Sequence, residues 1–220
     1  MTQSSIMALA GGLELAFWKP MRSPQEFTGV CAAARDHGVR ALLVASAQLP
    51  AAAAALEESA TQLIAWVGFP LGLNDRDVKR YETEVAIDLG AQEIELVLSL
   101  DQLKHGNSRL LLREIHDVVE AAEERPVCVA FEHAAVTPAE WTRLIELVAD
   151  SGVKAVATGT DFWPDGRVSR EEIKALRDAL APQISLKAVG NIRNPEAARE
   201  LMAAGAARIG TADAWFLKPS

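Results

Sequence analysis

The same pattern of residues occurs eight times along this chain: a short apolar run, a helix-start signal, then a longer amphipathic stretch. The runs are rich in Val, Ile and Leu and show little alternation, which is typical of parallel strands buried on both faces. Strand–helix units repeated in this way predict a parallel sheet. The runs are residues 13–18, 41–45, 62–68, 93–99, 127–132, 153–158, 184–189 and 207–210.

Eight such units within 220 residues most naturally close on themselves. We therefore predict the α/β class and a single (β/α)8 TIM barrel that covers residues 1–220 as one domain. The alternative is a doubly wound open sheet, which a Gly-x-Gly-x-x-Gly after the first strand would favour. Gly11-Gly12 precedes the first run instead, which argues against that alternative.

Composition narrows the classes of partner. The chain has 22 Lys and Arg against 30 Asp and Glu, a formal net charge of −8, so binding to nucleic acid or to an anionic membrane is not expected. Two cysteines, Cys31 and Cys128, are too few for a disulfide framework or a thiolate zinc site, and we predict neither metal nor cofactor. No apolar run is long enough to span a bilayer, and residues 1–4 do not begin a signal peptide. A soluble cytoplasmic protein is the expectation.

In a barrel of this kind, functional groups lie at the carboxyl ends of the strands. That rule excludes His37, which precedes the second run, and Lys154, which lies at the start of the sixth. It retains ten titratable residues: Glu14, Lys19, Glu95, His105, Glu132, His133, Asp161, Lys187, Arg193 and Asp213.

Lys187 is the most informative of these residues, because it lies within an otherwise apolar strand and lysine is almost never buried unpaired. Desolvation lowers the pKa of an amine and would make Lys187 a nucleophile or proton carrier. The alternative is a structural salt bridge across the barrel mouth. Glu93 and Glu95 share one face of the fourth strand, and Lys187 is the expected cation for a carboxylate inside the barrel. The alternative here is that both carboxylates are solvated at a frayed strand end.

Glu132 and His133 end the fifth run and point to opposite sides, so only one can face the barrel axis. We expect Glu132 to face inward for acid–base work and His133 to anchor a loop. The tryptophans divide in a similar way: two belong to the core, and three lie at strand ends, where they suit an apolar or ring-bearing ligand or simply pack the rim. The core pair is Trp66 and Trp141, and the mouth set is Trp18, Trp163 and Trp215.

Several ordered motifs resemble the deoxyribose-phosphate aldolase family, over roughly Leu13 to Asp213. The segments GFPLG at 68–72, AQEIELVL at 91–98 and LKHG at 103–106 occur in the family's order. They are followed by LKAVGNIR at 186–193 and AGAARIG at 204–210, which are similar to the family's last two motifs. The resemblance implies a class I aldolase barrel that is commonly a homodimer.

The resemblance also implies a mechanism. Family members form an imine on a lysine of strand six, assisted by a lysine of strand seven and an Asp of strand four. The strand-seven lysine corresponds to Lys187, the strand-four Asp to Glu95, and the strand-one Asp to Glu14. The imine lysine corresponds to Ala157, and alanine cannot form an imine.

The family's phosphate site is altered as well. Asp161 and Asn191 stand where the family has glycines, and Asp213 stands where it has Ser, so two carboxylates would oppose a phosphate. The site would instead prefer a hydroxyl-rich or amine-bearing group, or Arg193 and the acids would form a closed ion-pair network. The expected substrate-binding residues are Thr158, Asp161, Gly190, Asn191, Arg193, Gly210, Thr211 and Asp213.

Three functions remain open. The first is a divergent aldolase-type lyase for a non-phosphorylated carbonyl or polyol ligand, with Lys187 as the imine-forming or electrostatic lysine and Glu95, Glu132 and Glu14 as further catalytic residues. The second is an inactive barrel that serves as a binding or regulatory module. The third is a general acid–base isomerase or hydrolase that uses the same three carboxylates.

Overall fold

The computed structural model describes residues 9–18, 23–163 and 166–213. Eight parallel strands hydrogen-bond in chain order, and the eighth pairs with the first, so the sheet is a closed barrel. Each of the eight apolar runs overlaps one strand, and the eighth strand extends one residue past its run, to Thr211. The prediction of a (β/α)8 barrel is confirmed. The strands are β1 Leu13–Ala16, β2 Ala41–Val44, β3 Gln62–Val67, β4 Glu93–Val97, β5 Val127–Ala130, β6 Ala155–Ala157, β7 Ser185–Val189 and β8 Arg208–Thr211.

The helices begin where the capping signals indicate. Ser169 caps its helix in a capping box with Glu172, and Asn194 accepts a hydrogen bond from Ala197 N. These caps fix where the loops after β6 and β7 end. The helices are α1 Pro24–Asp36, α2 Leu49–Ala55, α3 Arg76–Asp88, α4 Leu100–Lys104, α5 Ser108–Ala121, α6 Pro138–Ala149, α7 Arg170–Ala179 and α8 Pro195–Ala203.

Side chains alternate along each strand between an outer face, toward the helices, and an inner face, toward the barrel axis. Outward residues such as Leu15, Leu96 and Leu186 join the core between sheet and helices. Inward residues fill the barrel, with a half rich in large side chains around Trp66 and a half of small side chains around Ala157. No helix within the described ranges is long and apolar enough to cross a membrane.

Candidate active site

Three charged side chains meet inside the barrel at mid-height. Glu14 comes from β1, Glu95 from the middle of β4 and Lys187 from the middle of β7. The Lys187 Nζ lies 2.5 Å from Glu95 Oε2 and 2.7 Å from Glu14 Oε2, and all three side chains are buried. The expected pairing of Glu95 with Lys187 is confirmed, whereas the catalytic roles of these residues remain predictions.

A second layer of charges lies toward the amino-terminal ends of the strands. Glu93 accepts hydrogen bonds from Arg208 Nη1 at 2.5 Å and from Arg40 Nη2 at 2.9 Å, and both arginines also contact Glu14. Glu93 is buried, so the alternative of a solvated, frayed strand end is wrong. The two layers together contain three carboxylates and three cationic side chains: Glu14, Glu93, Glu95, Arg40, Lys187 and Arg208.

The carboxylates around Lys187 decide its protonation. Burial by itself lowers the pKa of the Lys187 amine, but the charges of Glu14 and Glu95 outweigh burial and raise the pKa above its usual range. The expectation of a lowered pKa is therefore wrong, because desolvation was considered without two adjacent carboxylates. Lys187 is an ammonium ion in the resting protein.

The two carboxylates that share this ammonium are not equivalent. Burial tends to raise the pKa of Glu14, but Lys187, Arg208 and Arg40 lower it below its usual value. Glu95 has Lys187 but not the arginines, so burial dominates and raises its pKa to about 7, with Lys187 opposing and Glu14 adding to the rise. Of the two carboxyl groups, Glu95 is therefore the one whose pKa is shifted toward neutral pH.

Two polar atoms beside this cluster lack a hydrogen-bond partner among the described residues. They are Glu95 Oε1 and the indole Nε1 of Trp66, and both are buried. Trp66 is the register partner of Glu95 on β3, so the two side chains lie next to each other on the inner face. A buried donor and a buried acceptor without protein partners are the kind of groups that a polar ligand atom or a water molecule would satisfy.

Ala157 ends β6, where the family resemblance implies the imine lysine. It is the register partner of Lys187 and packs among small side chains, including Ala130 and Ala155. Lys154 precedes the strand. Within the described part of the chain, Lys187 is the lysine that faces the barrel interior.

Backbone N–H groups at the ends of β7 and β8 bind a side chain of this same chain. The Asp161 carboxylate accepts from Asn191 N at 3.0 Å through Oδ1 and from Ala212 N at 2.8 Å through Oδ2. Asp161 and Asn191 both adopt left-handed backbone conformations, with φ of 61° and 56°. Such conformations turn successive N–H groups into an anion-binding concavity, and here the anion is Asp161.

Arg193 does not bridge the acids. Its Nε donates to Asn191 Oδ1, and among the described residues no ion pair joins Arg193 to Asp161 or Asp213. The closed ion-pair network considered from the sequence is therefore not formed there. The Asp213 backbone N–H donates to Thr211 Oγ1, and that hydroxyl donates to Ile192 O.

Other expected binding residues make structural contacts. The Thr158 hydroxyl donates to Val189 O at 2.7 Å and accepts from Val189 N at 2.9 Å, which joins β6 to β7. Gly210 leaves space for Lys187, because a Cβ there would lie 2.5 Å from Lys187 Cε. Gly190 adopts φ of 135° at the start of the loop that carries Asn191.

Glu132 points inward, as expected, but it lies above the charged cluster. It is buried, accepts hydrogen bonds from Thr160 N and Oγ1, and has its pKa raised by burial, against the lowering effect of those bonds. His133 Nε2 lies 3.4 Å from Glu172 Oε1, which confirms its role in anchoring a loop to α7. His105 is exposed and contacts Asp101 O at the end of α4.

Aromatic rings form a continuous chain over part of the mouth. Trp18 contacts Phe162 with centroids 5.4 Å apart, Phe162 contacts Phe69 at 5.7 Å, and Phe69 contacts Trp66 at 4.6 Å. Trp141 packs on Phe131 in the outer core, as expected. Lys19 and Trp215, also expected at the mouth, lie outside the described residues.

Sequence reasoning missed three cations, of which Lys79 is buried and Arg40 and Arg208 are partly buried. Arg40 and Arg208 were not considered because they precede or begin strands, yet AGAARIG contains one of them. Lys79 on α3 is fully buried, with its Nζ donating to Gly72 O, Val97 O and Glu114 Oε1. Those three bonds use all of its protons, so Lys79 ties the loop after β3 to β4.

The fold and the charged interior together define a (β/α)8 barrel with three carboxylates and three cations paired inside it. No protein-family model matches the chain. A deoxyribose-phosphate aldolase from Exiguobacterium sibiricum is 36% identical over 205 residues, covering 93% of this chain and 92% of that protein. The corresponding protein of Bacteroides thetaiotaomicron is 32% identical over 94% of this chain and 87% of its own length.

Solved structures of aldolases have the same fold as this chain. An aldolase designated QR15 has a TM-score of 0.89 at 26% identity, over 95% of this chain and 92% of its own. The tetrameric deoxyribose phosphate aldolase from Aeropyrum pernix shares the fold, with a TM-score of 0.87 at 24% identity over 97% and 91% of the two chains. The chain belongs to the deoxyribose-phosphate aldolase family.

Proposed function

We propose that this protein is an aldolase-type lyase that acts on a carbonyl compound without a phosphate group, with Lys187 as an electrostatic lysine. The observation that carries the proposal is the Lys187 ammonium held between Glu14 and Glu95. An imine requires a neutral amine, and two carboxylates at 2.5 and 2.7 Å oppose its formation. The same arrangement is suited to stabilising negative charge on an oxygen atom.

The proposed reaction cleaves a β-hydroxy carbonyl compound. Ionised Glu95 takes the proton of the β-hydroxyl group, the bond between the α and β carbons breaks, and an aldehyde forms. The electron pair moves to the carbonyl oxygen, giving an enolate beside the Lys187 ammonium. Protonated Glu95 then returns the proton to the α carbon, so the carboxylate is regenerated. A pKa of about 7 suits Glu95 to both steps.

The position of the Asp161 carboxylate supports the proposal that the substrate carries no phosphate group. It occupies two N–H groups at the ends of β7 and β8, where the family resemblance implies a phosphate. A phosphate brought to this position would meet a fixed negative charge. The expected consequence is essentially no cleavage of deoxyribose 5-phosphate, to which the loss of the imine lysine at Ala157 also contributes. Replacing Ala157 by lysine alone should not restore that activity, because Asp161 would remain.

The test is a panel of β-hydroxy aldehydes and ketones without phosphate, assayed for aldehyde release. Glu95→Gln should lower kcat by about 10²-fold or more, whereas Glu171→Gln, at an exposed position on α7, should match the wild type. Borohydride with these substrates should leave Lys187 unmodified. A trapped adduct on Lys187 would contradict the electrostatic role and favour an imine. Equal activity of both variants would contradict the role of Glu95.

The second candidate is a binding or regulatory module without catalysis. It is favoured by the balance of charges inside the barrel, where three carboxylates pair with three cations, one of them the lysine that is 1% exposed. Such a network is stable without a substrate. The absence of turnover across the whole panel, together with unchanged binding of a carbonyl compound in Glu95→Gln, would support this candidate.

A further inference from the structure

An apolar pocket opens at the carboxyl ends of β3, β4 and β5. Its volume is about 220 Å³, and Leu98 and Leu100 form part of its wall. Seven large apolar side chains are exposed among the described residues, and Leu71, Leu73 and Trp163 of that set line this pocket. Exposed apolar side chains gathered around a concave pocket are typical of a ligand site.

The pocket contains one buried carboxyl group. Glu132 is 7% exposed, and its Oε1 accepts both hydrogen bonds from Thr160. No described residue donates a hydrogen bond to Oε2. Glu132 therefore retains hydrogen-bonding capacity beside the other polar lining residues, Ser99 and Asp101. An apolar wall with a few polar groups is a common arrangement for holding and orienting a small ligand.

The pocket and the barrel interior share the side chain of Val97. This residue lines the pocket and also packs with Trp66 inside the barrel. Glu95 lies two residues earlier on the same face of β4, which corresponds to about 7 Å along a strand. Val97, at the pocket, and Glu95, beside Lys187, therefore occupy neighbouring inward positions of one strand.

We infer that this pocket binds the apolar side chain, aryl or short alkyl, of the carbonyl substrate, and that Glu132 hydrogen-bonds to its polar part. The size fits, because an engineered cavity of roughly 150 Å³ in another protein holds benzene. The pocket and Asp161 share the loop after β6, because Trp163 lines the pocket and Glu132 binds Thr160, the residue before Asp161. The inference rests on the proposed function for the identity of the ligand as substrate, but not for the pocket itself.

The experiment uses benzyl alcohol, which carries an aryl group and no carbonyl group. Isothermal titration should show binding to the wild type, and glycerol under the same conditions should show none. Leu71→Asp places a charge on the pocket wall and should weaken benzyl alcohol binding by about tenfold or more. Leu110→Asp is the matched control, because Leu110 is exposed on α5 outside the pocket, and it should bind as the wild type does.

The outcomes separate the inference from the proposed function. Binding of benzyl alcohol without turnover of any carbonyl compound would support the pocket and reject the lyase. Turnover without binding, or equal binding by the two aspartate variants, would reject the pocket. If Leu71→Asp instead dissociates a dimer in sedimentation while no variant binds benzyl alcohol, the surface is a subunit interface and the inference is wrong.

Discussion

At the scale of single residues, the protonation of Glu95 links stability to pH. Its pKa is raised to about 7 in the folded protein, against 4.5 when unperturbed. The folded state binds this proton more tightly, so the stability that Glu95 contributes is present below pH about 4.5 and is lost as pH rises through about 7. Glu95→Gln has no carboxyl group to titrate at this position, so its stability should not fall as pH rises through this range. In urea unfolding, the variant should therefore gain stability relative to the wild type between about pH 5 and about pH 8.

A parallel pH dependence of the two proteins would contradict the assignment. Glu171→Gln serves as the control here as well, because this exposed carboxyl should leave the pH dependence of the wild type unchanged.

A second prediction for a single residue concerns Asp161 and the binding of phosphate. Asp161→Gly suits the left-handed backbone, with its φ of 61°, and frees the N–H groups of Asn191 and Ala212. Inorganic phosphate at low salt should therefore raise the Tm of Asp161→Gly more than that of the wild type. Asp161→Asn keeps a side-chain acceptor in place and should behave like the wild type. An equal rise for all three proteins would contradict the prediction.

At the scale of elements, the approach of Lys187 to β8 depends on Gly210. A Cβ at this position would lie 2.5 Å from Lys187 Cε and 2.8 Å from Val189 Cγ2. Gly210→Ala should lower the free energy of unfolding by about 1–3 kcal/mol, because the buried lysine cannot move without leaving its carboxylates. Gly29→Ala on α1 is the control: nothing lies within 4 Å of its Cβ, and helix propensity favours alanine. Urea unfolding measures the free energy of unfolding of both variants. An unchanged free energy for Gly210→Ala would show that the spacing of the strands adapts to the added methyl group.

At the scale of the whole molecule, buried charges join strands that are far apart in sequence. Arg208 on β8 pairs with Glu93 on β4 and Glu14 on β1. Arg208→Met leaves buried carboxylates short of a cation and should cost roughly 3–5 kcal/mol in the free energy of unfolding. Arg125→Met removes an exposed pair with Glu123 and should cost about 1 kcal/mol or less. Similar losses for the two variants would show that the interior network contributes little.

The sequence predicts the architecture well and the site in part. Eight apolar runs determine the barrel, and strand alternation places Glu95 near Lys187. The direction of the Lys187 pKa shift depends on how many carboxylates surround it, which no single strand reveals. The partners of Asp161 could not be predicted either, because they are backbone N–H groups brought together by two left-handed residues in separate loops.

Because Asp161 already occupies the N–H groups of Asn191 and Ala212, the binding of any free anion there depends on the concentration of that anion. A group tethered to the chain competes with free ligands at an effective concentration in the millimolar range or above. An anion from solution must outcompete this permanent occupant before it can bind, and it pays an association entropy that the tethered carboxylate does not. We therefore expect competition, as well as charge, to keep phosphorylated metabolites at micromolar levels from binding there. The protein remains available to neutral compounds in their presence.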